Sequence, residues 1–177
     1  NQKLKKKYGA SVIGYRGDKE RIPGIDILIN DQETWIHKNF EAKIIYIPGH
    51  TLGHICFYFY KEESVFTGDT LFSLGCGKIF EGTYSQMFSS LMKLKELPES
   101  TKIYCGHEYT KKNSDFCVTH DANNENLKIK IHAIDMRLND GLPTIPSTMK
   151  DELECNIFLR CRNMEAFSKL RDLKDNF

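Results

Sequence analysis

Three times along this chain, a run of strand-forming residues stops at a glycine and a metal-ligating side chain follows at once. The places are Pro48-Gly49-His50, Phe66-Thr67-Gly68-Asp69 and Tyr104-Cys105-Gly106-His107. A strand end holds a side chain rigidly at the rim of a sheet. The glycine lets the chain turn sharply and lets other groups come close. Two imidazoles and one carboxylate at one rim form a donor set that suits zinc, iron or manganese. Singly, each signal is weak, since a His after Gly is commonly a surface residue and Gly-Asp is commonly a turn. Repeated, they demand a sheet whose strands end side by side.

The remaining pattern fits such a sheet. Residues 11–15, 43–47, 55–60, 64–67 and 102–105 read as strands, with a possible short strand at 25–29. The rest of residues 16–40 is mixed. Residues 3–8 read as a short helix stopped by Gly9. Thr83-Tyr84-Ser85-Gln86 is a capping box, with Thr as the cap and Gln three residues on. It opens a helix whose apolar face includes Met87, Leu91 and Leu94, and Pro98 ends it. After His107 the strand signals fade. Residues 114–119, 126–138 and 165–177 read as helices, and the loop 139–147 carries Gly141, Pro143 and Pro146. A domain boundary is expected near residue 111, between an αβ unit and a small helical unit.

Charge excludes some classes of function. With 25 basic and 24 acidic residues, no strong field for nucleic acid or anionic membrane is expected. No apolar run approaches the ~20 residues that span a bilayer. The six cysteines form no C-x-x-C pair, so a thiolate zinc site is not expected. Cys56 and Cys105 sit in apolar runs as small buried hydrophobes, and a reducing, cytoplasmic setting without disulfides is expected. Organellar targeting from an upstream signal stays open. His37, His120 and His132 read as structural or surface residues.

The motifs resemble the second half of the metallo-β-lactamase superfamily. His50-Thr51-Leu52-Gly53-His54 is similar to its H-T-x-G-H element, and Gly68-Asp69-Thr70-Leu71-Phe72 to its G-D-x-L-F element. Gly106-His107-Glu108-Tyr109 is similar to its last ligand histidine. The chain resembles most closely the hydroxyacylglutathione hydrolase (glyoxalase II) family. That likeness rests on Leu74-Gly75-Cys76-Gly77-Lys78, Glu81-Gly82-Thr83 and Tyr104 to Thr110. It extends to Pro143-Thr144-Ile145-Pro146-Ser147-Thr148 and the ending Lys174-Asp175-Asn176-Phe177. It covers nearly the whole chain.

The resemblance implies an α+β fold: the C-terminal part of an αββα sandwich followed by a small all-helical domain. It implies two divalent metal ions, with zinc foremost and iron or manganese as alternatives. His50 would ligate one ion, His107 the other, and Asp69 would bridge them. His54 would orient its neighbours by hydrogen bonding. The substrate would be a glutathione thioester, S-D-lactoylglutathione, cleaved to D-lactate and glutathione in the second step of methylglyoxal detoxification. Lys78 would pair with a glutathione carboxylate, helped by the backbone of Lys78, Ile79 and Phe80. Tyr109 would hydrogen-bond the glutathione backbone. Arg171 and Lys174 would clamp its glycine end. Read without the resemblance, Lys169, Arg171 and Lys174 are a solvated helix face. A cationic rim nonetheless suits a ligand with two carboxylates.

The chain departs from the family in three places. Phe80 stands where Tyr is common, and an Asn-Pro step becomes Asn156-Ile157. The T-H-x-H-x-D-H element is expected immediately before Asn1, so these residues should hold only part of a two-metal site. The intact protein is expected to be a monomeric thioester hydrolase. The 177-residue piece alone should be nearly inactive, with exposed apolar surface that favours association. Two rivals remain: another hydrolase, nuclease or dioxygenase activity on this fold, and a non-catalytic binder of glutathione conjugates.

Overall fold

The structure is a computed structural model and describes all 177 residues. Helix α1 (Gln2–Tyr8) opens it and ends on Gly9 in the left-handed conformation, where a side chain would be strained. Strand β1 (Ile13–Tyr15) pairs in parallel with β2 (Ile27–Ile29), with a 3-10 turn (Arg16–Arg21) between them. Then come β3 (Thr34–His37), β4 (Phe40–Tyr46), β5 (Ile55–Phe59), β6 (Ser64–Gly68) and the small hairpin β7 (Leu71–Phe72) and β8 (Gly75–Cys76). Helix α2 (Tyr84–Lys95) and β9 (Lys102–Cys105) complete the αβ part. The tail holds α3 (Thr110–His120), α4 (Glu125–Asn139), β10 (Ser147–Thr148), α5 (Met149–Cys155) and α6 (Met164–Asp175).

The main sheet has six strands in the order β10-β9-β6-β5-β4-β3. Its pairs are antiparallel except β6 with β9, which run parallel. That parallel pair needs a crossover, and α2 supplies it. The consequence is functional. Parallel neighbours end at the same rim, so Gly68 and Cys105 come into register and deliver Asp69 and His107 side by side.

One face of the sheet carries Tyr58, Val65 and Ile103 in one cross-strand row. That row packs against Met87, Leu91 and Leu94 of α2, all fully buried. Each such side chain contributes about 1.5–3 kcal/mol. The Thr83–Gln86 capping box is formed in full, so the start of α2 is fixed as its sequence predicts. The same core continues into the tail through Phe116, Leu127, Phe158 and Phe167. The opposite face carries Ile44, Phe57, Phe66 and Tyr104 in register, flanked by Trp35, Phe40 and Phe59. Phe66 and Phe40 are about half exposed, and a shallow concavity of about 340 Å³ lies among these rings.

Several elements differ from the sequence reading, the short β7–β8 hairpin among them. Strand β3 is a sheet edge, largely exposed, so it lacks the apolar alternation that marks a strand. Helix α5 falls in a stretch with no helix assigned, although Thr148-Met149-Lys150-Asp151 is itself a capping box. Strand β10 returns from the tail to pair with β9. Composition changes near residue 111, but hydrogen bonding and core packing run across that point. All six cysteines carry free thiols, and Cys105 alone among them is not buried. No helix is long and apolar enough to cross a membrane.

Candidate active site

The rim of the sheet gathers His50, Asp69 and His107. Asp69 stands between the two imidazoles: His50 Nε2 lies 3.5 Å from Oδ2 and His107 Nε2 lies 3.5 Å from Oδ1. Both separations exceed a direct charge-assisted hydrogen bond, ~2.7–2.9 Å. Each carboxylate oxygen thus faces one ring nitrogen.

Other groups hold these three in place. His50 Nδ1 lies 2.7 Å from the Lys78 carbonyl. A carbonyl only accepts, so Nδ1 carries the proton and the Nε2 lone pair is left to face Asp69. His54 Nε2 accepts the Asp69 amide at 3.0 Å, and its Nδ1 lies 3.3 Å from the Thr51 hydroxyl. Burial, and then the neighbouring His50, push the His54 pKa down, which favours the neutral ring this pairing requires. His54 therefore bonds to the backbone of Asp69. The packing is tight enough to demand glycine: a Cβ on Gly77 would sit 1.9 Å from the Asp69 carbonyl oxygen, and one on Gly106 would sit 2.4 Å from Asp69 Oδ1.

A cavity of about 380 Å³ adjoins the rim. Its lining includes Phe72, Lys78, Tyr109, Lys112, Arg171 and Lys174. Phe72 and Tyr109 connect it to the rim, because both rings contact His107; the Tyr109 ring stacks on it at 4.9 Å. Four cations thus face one acid, Asp175. Phe80 lies outside this cavity, two-thirds exposed, with its ring 4.9 Å from that of His50; Ile79 is partly buried.

The two cations of α6 are not alike. Lys174 is half-buried; its ammonium donates to the Lys112 carbonyl at 3.1 Å and lies over Phe116 and Phe177. Burial, and then Arg171, bring its pKa down to about 8. Arg171 is only 4% exposed, which overturns the solvated-face reading of that residue. Its Nη1 donates to the Cys76 carbonyl at 2.8 Å and its Nη2 to Asp175 at 2.9 Å, while its Nε has no partner. Lys169 stays exposed and pairs with Glu165 on its own helix.

Several residues support the site in ways the sequence does not signal. Glu108, next to His107, accepts from the Thr144 amide and from the hydroxyls of Thr144 and Thr110, tying the tail to the rim. Asn113, Glu152 and Asn156 hold the β7–β8 hairpin from the tail side. Only the capping box ahead of Glu152 could have marked its helix.

A model described as metallo-beta-lactamase superfamily matches residues 2–107, and one described as hydroxyacylglutathione hydrolase C-terminus matches residues 108–177. A hydroxyacylglutathione hydrolase of Pelagibacter ubique is 76% identical over 177 residues, covering the whole chain and 74% of that protein. This chain belongs to the hydroxyacylglutathione hydrolase family. A Methylococcus capsulatus protein of the same name is 41% identical, over 96% of the chain and 66% of its own length. Among solved structures, ETHE1 from Myxococcus xanthus superposes with a TM-score of 0.70 at 20% identity, over 97% of this chain and 61% of that one. That likeness shows the metallo-β-lactamase fold. The chain is thus a hydrolase of that superfamily, whose chemistry uses divalent metal ions.

The residues present fit such ions in part. The donors are nitrogen and oxygen, and one carboxylate has an imidazole on each side. No group of three or more His, Cys, Asp or Glu side chains is arranged to hold an ion. His50 with Asp69, and His107 with Asp69, would offer each ion two donors where zinc takes about four.

Proposed function

We propose that the full-length protein hydrolyses glutathione thioesters, with S-D-lactoylglutathione cleaved to D-lactate and glutathione as the second step of methylglyoxal detoxification. The observation that carries this reading is the cavity of four cations and one acid whose Phe72 and Tyr109 rings lie against His107. A peptide thioester with two carboxylates suits it. Its carboxylates meet the cations while its acyl carbon reaches the rim.

His50, Asp69 and His107 would hold the two ions, with zinc the best match and iron or manganese accommodated. When bound, the ions supply an acidified water and polarise the thioester carbonyl. The chain's own residues do the rest. Lys78 and Lys174 attract the glutathione carboxylates. Tyr109 and Phe72 line the cavity on the side of His107. Arg171, fixed in the cavity wall by the Cys76 carbonyl and Asp175, would clamp the glycine end of glutathione together with Lys174. Glutathione departs as a thiolate, which needs little acid assistance. The protein would act in the cytoplasm as a monomer.

The test is loss of thioester absorbance with metal-loaded full-length protein; no turnover would end the proposal. The 177 residues alone, with two donors per ion, should turn over slowly and bind metal weakly. Tight binding of two ions by this piece would refute that part.

Lys174→Ala should raise KM about tenfold and leave kcat within about twofold, because the lost charge-assisted contact is remote from the broken bond. The pH dependence has a definite sign. Lys174 attracts a carboxylate only as the ammonium, so wild-type KM should rise above pH 8, and Lys174→Arg should flatten that rise. A KM independent of pH from 7 to 9 in both proteins would exclude this role.

A further inference from the structure

The tail's buried polar side chains grip one short stretch of backbone. Asn156 Nδ2 donates to the carbonyls of Phe72 at 3.4 Å and Gly75 at 3.1 Å. Asn113 Nδ2 donates to Ser73 O at 3.0 Å, and the Cys117 thiol to Leu74 O at 3.1 Å. Arg171 Nη1 donates to Cys76 O at 2.8 Å. Glu152 Oε2 accepts the Leu74 amide at 2.8 Å and also bonds Asn156 Nδ2 at 2.9 Å. Every carbonyl from Phe72 to Cys76 is therefore held by a side chain from the tail.

This bracing has a visible load. Leu74 has φ 57°, a left-handed conformation that strains a leucine and persists only where its surroundings over-determine it. The braced stretch leads directly into Gly77, which lies against the Asp69 carbonyl, and Lys78, whose carbonyl fixes the His50 ring.

We infer that the helical tail is a positioning device for His50: Glu152, Asn156 and Asn113 set the β7–β8 hairpin, and the hairpin sets the Lys78 carbonyl that orients the imidazole. The inference rests on the proposed role of His50 as a metal ligand. It gives the tail a task at the reacting end of the molecule as well as at the glutathione end. None of these residues touches substrate through this route; they act through His50.

The test uses metal-loaded full-length protein with Glu152→Ala, Glu152→Gln and Asn156→Ala. In Glu152→Gln, the amide oxygen still accepts the Leu74 amide, and its NH2 can serve the buried, unpartnered Ser147 hydroxyl. Glu152→Ala and Asn156→Ala should weaken metal binding about tenfold in chelator competition, the lower end for loss of an outer-shell partner. They should lower kcat more than they change KM. The signal of the His50 Nδ1 proton, held on the Lys78 carbonyl in the wild type, should be lost from the spectrum of the substrate-free protein. Glu152→Gln should restore all three readouts to within about twofold of wild type.

If these variants lower only the thermal midpoint, with metal affinity, kcat and the imidazole proton unchanged in the folded protein, the inference is overturned. Should the alanine variants fail to fold, Asn113→Ala removes a single carbonyl contact, and its metal affinity must fall in the same direction or the inference is equally overturned. Wild-type protein that binds metal but does not cleave the thioester would sink the proposed function instead.

Discussion

Asp69→Ala in the full-length enzyme is expected to lower kcat by about 10³-fold or more and to empty both metal positions together. That exceeds the ~10–100-fold typical of an outer-shell partner. The reason is geometric. Both oxygens of one carboxylate face ring nitrogens at 3.5 Å, so one side chain is common to both halves of the site. On the proposed roles, His50→Ala or His107→Ala would remove a donor from one half only. Metal analysis after dialysis separates these cases. Asp69→Ala should fall toward no metal, and each histidine variant toward one equivalent. An Asp69→Ala protein that keeps two equivalents of metal and a kcat within tenfold of wild type would remove Asp69 from the shared position.

The second large effect concerns stability and Glu152. This carboxyl is fully buried, and burial raises its pKa from the ordinary 4.5 to about 7, against the opposing influence of the nearby Ser147 hydroxyl and the hydrogen bonds from Asn156 and Leu74. Lys130 also faces it and lowers it, and the thiols of Cys105, Cys117 and Cys155 lie within its field. The folded pKa is raised above the unfolded value. The stabilising contribution is therefore complete below about pH 4.5 and is lost as pH rises through about 7. The difference is on the order of 3 kcal/mol. For a chain of this size it corresponds to roughly 6–12 °C in Tm. Glu152→Gln should thus be nearly neutral at pH 5 and clearly stabilising at pH 8. A wild-type-minus-variant difference in Tm that stays flat between those pH values would show that Glu152 does not titrate in this range.

Glu152 also marks the limit of what local sequence can say. It lies in α5, which only a four-residue capping box announces. Its partner Leu74 is 78 positions away, and no periodicity connects them. Asn156 is similar: as a sequence feature it is a small departure within a motif, and in the fold it bonds two hairpin carbonyls more than 80 residues upstream. Arg171 reads as one of several cations on an exposed helix, yet α6 turns it inward onto Cys76. Strand β3 and strand β10 are short edges whose partners, not their composition, make them strands.

The sequence by itself determined the feature with which the chain announces itself: three strand ends, each with a glycine and a ligand-type side chain. It also determined α2, through its capping box and apolar face, and the family. These are signals carried within a few residues, where backbone geometry and side-chain chemistry are local. Only the tertiary structure decided that Asp69 stands between His50 and His107, because that follows from β6 and β9 running parallel to one rim. Only the tertiary structure, too, made Arg171, Glu152 and Asn156 buried supports of the Lys78 loop. Burial removes water as a partner, so each polar group must find its bonds in whatever backbone the fold brings near, however distant in the chain.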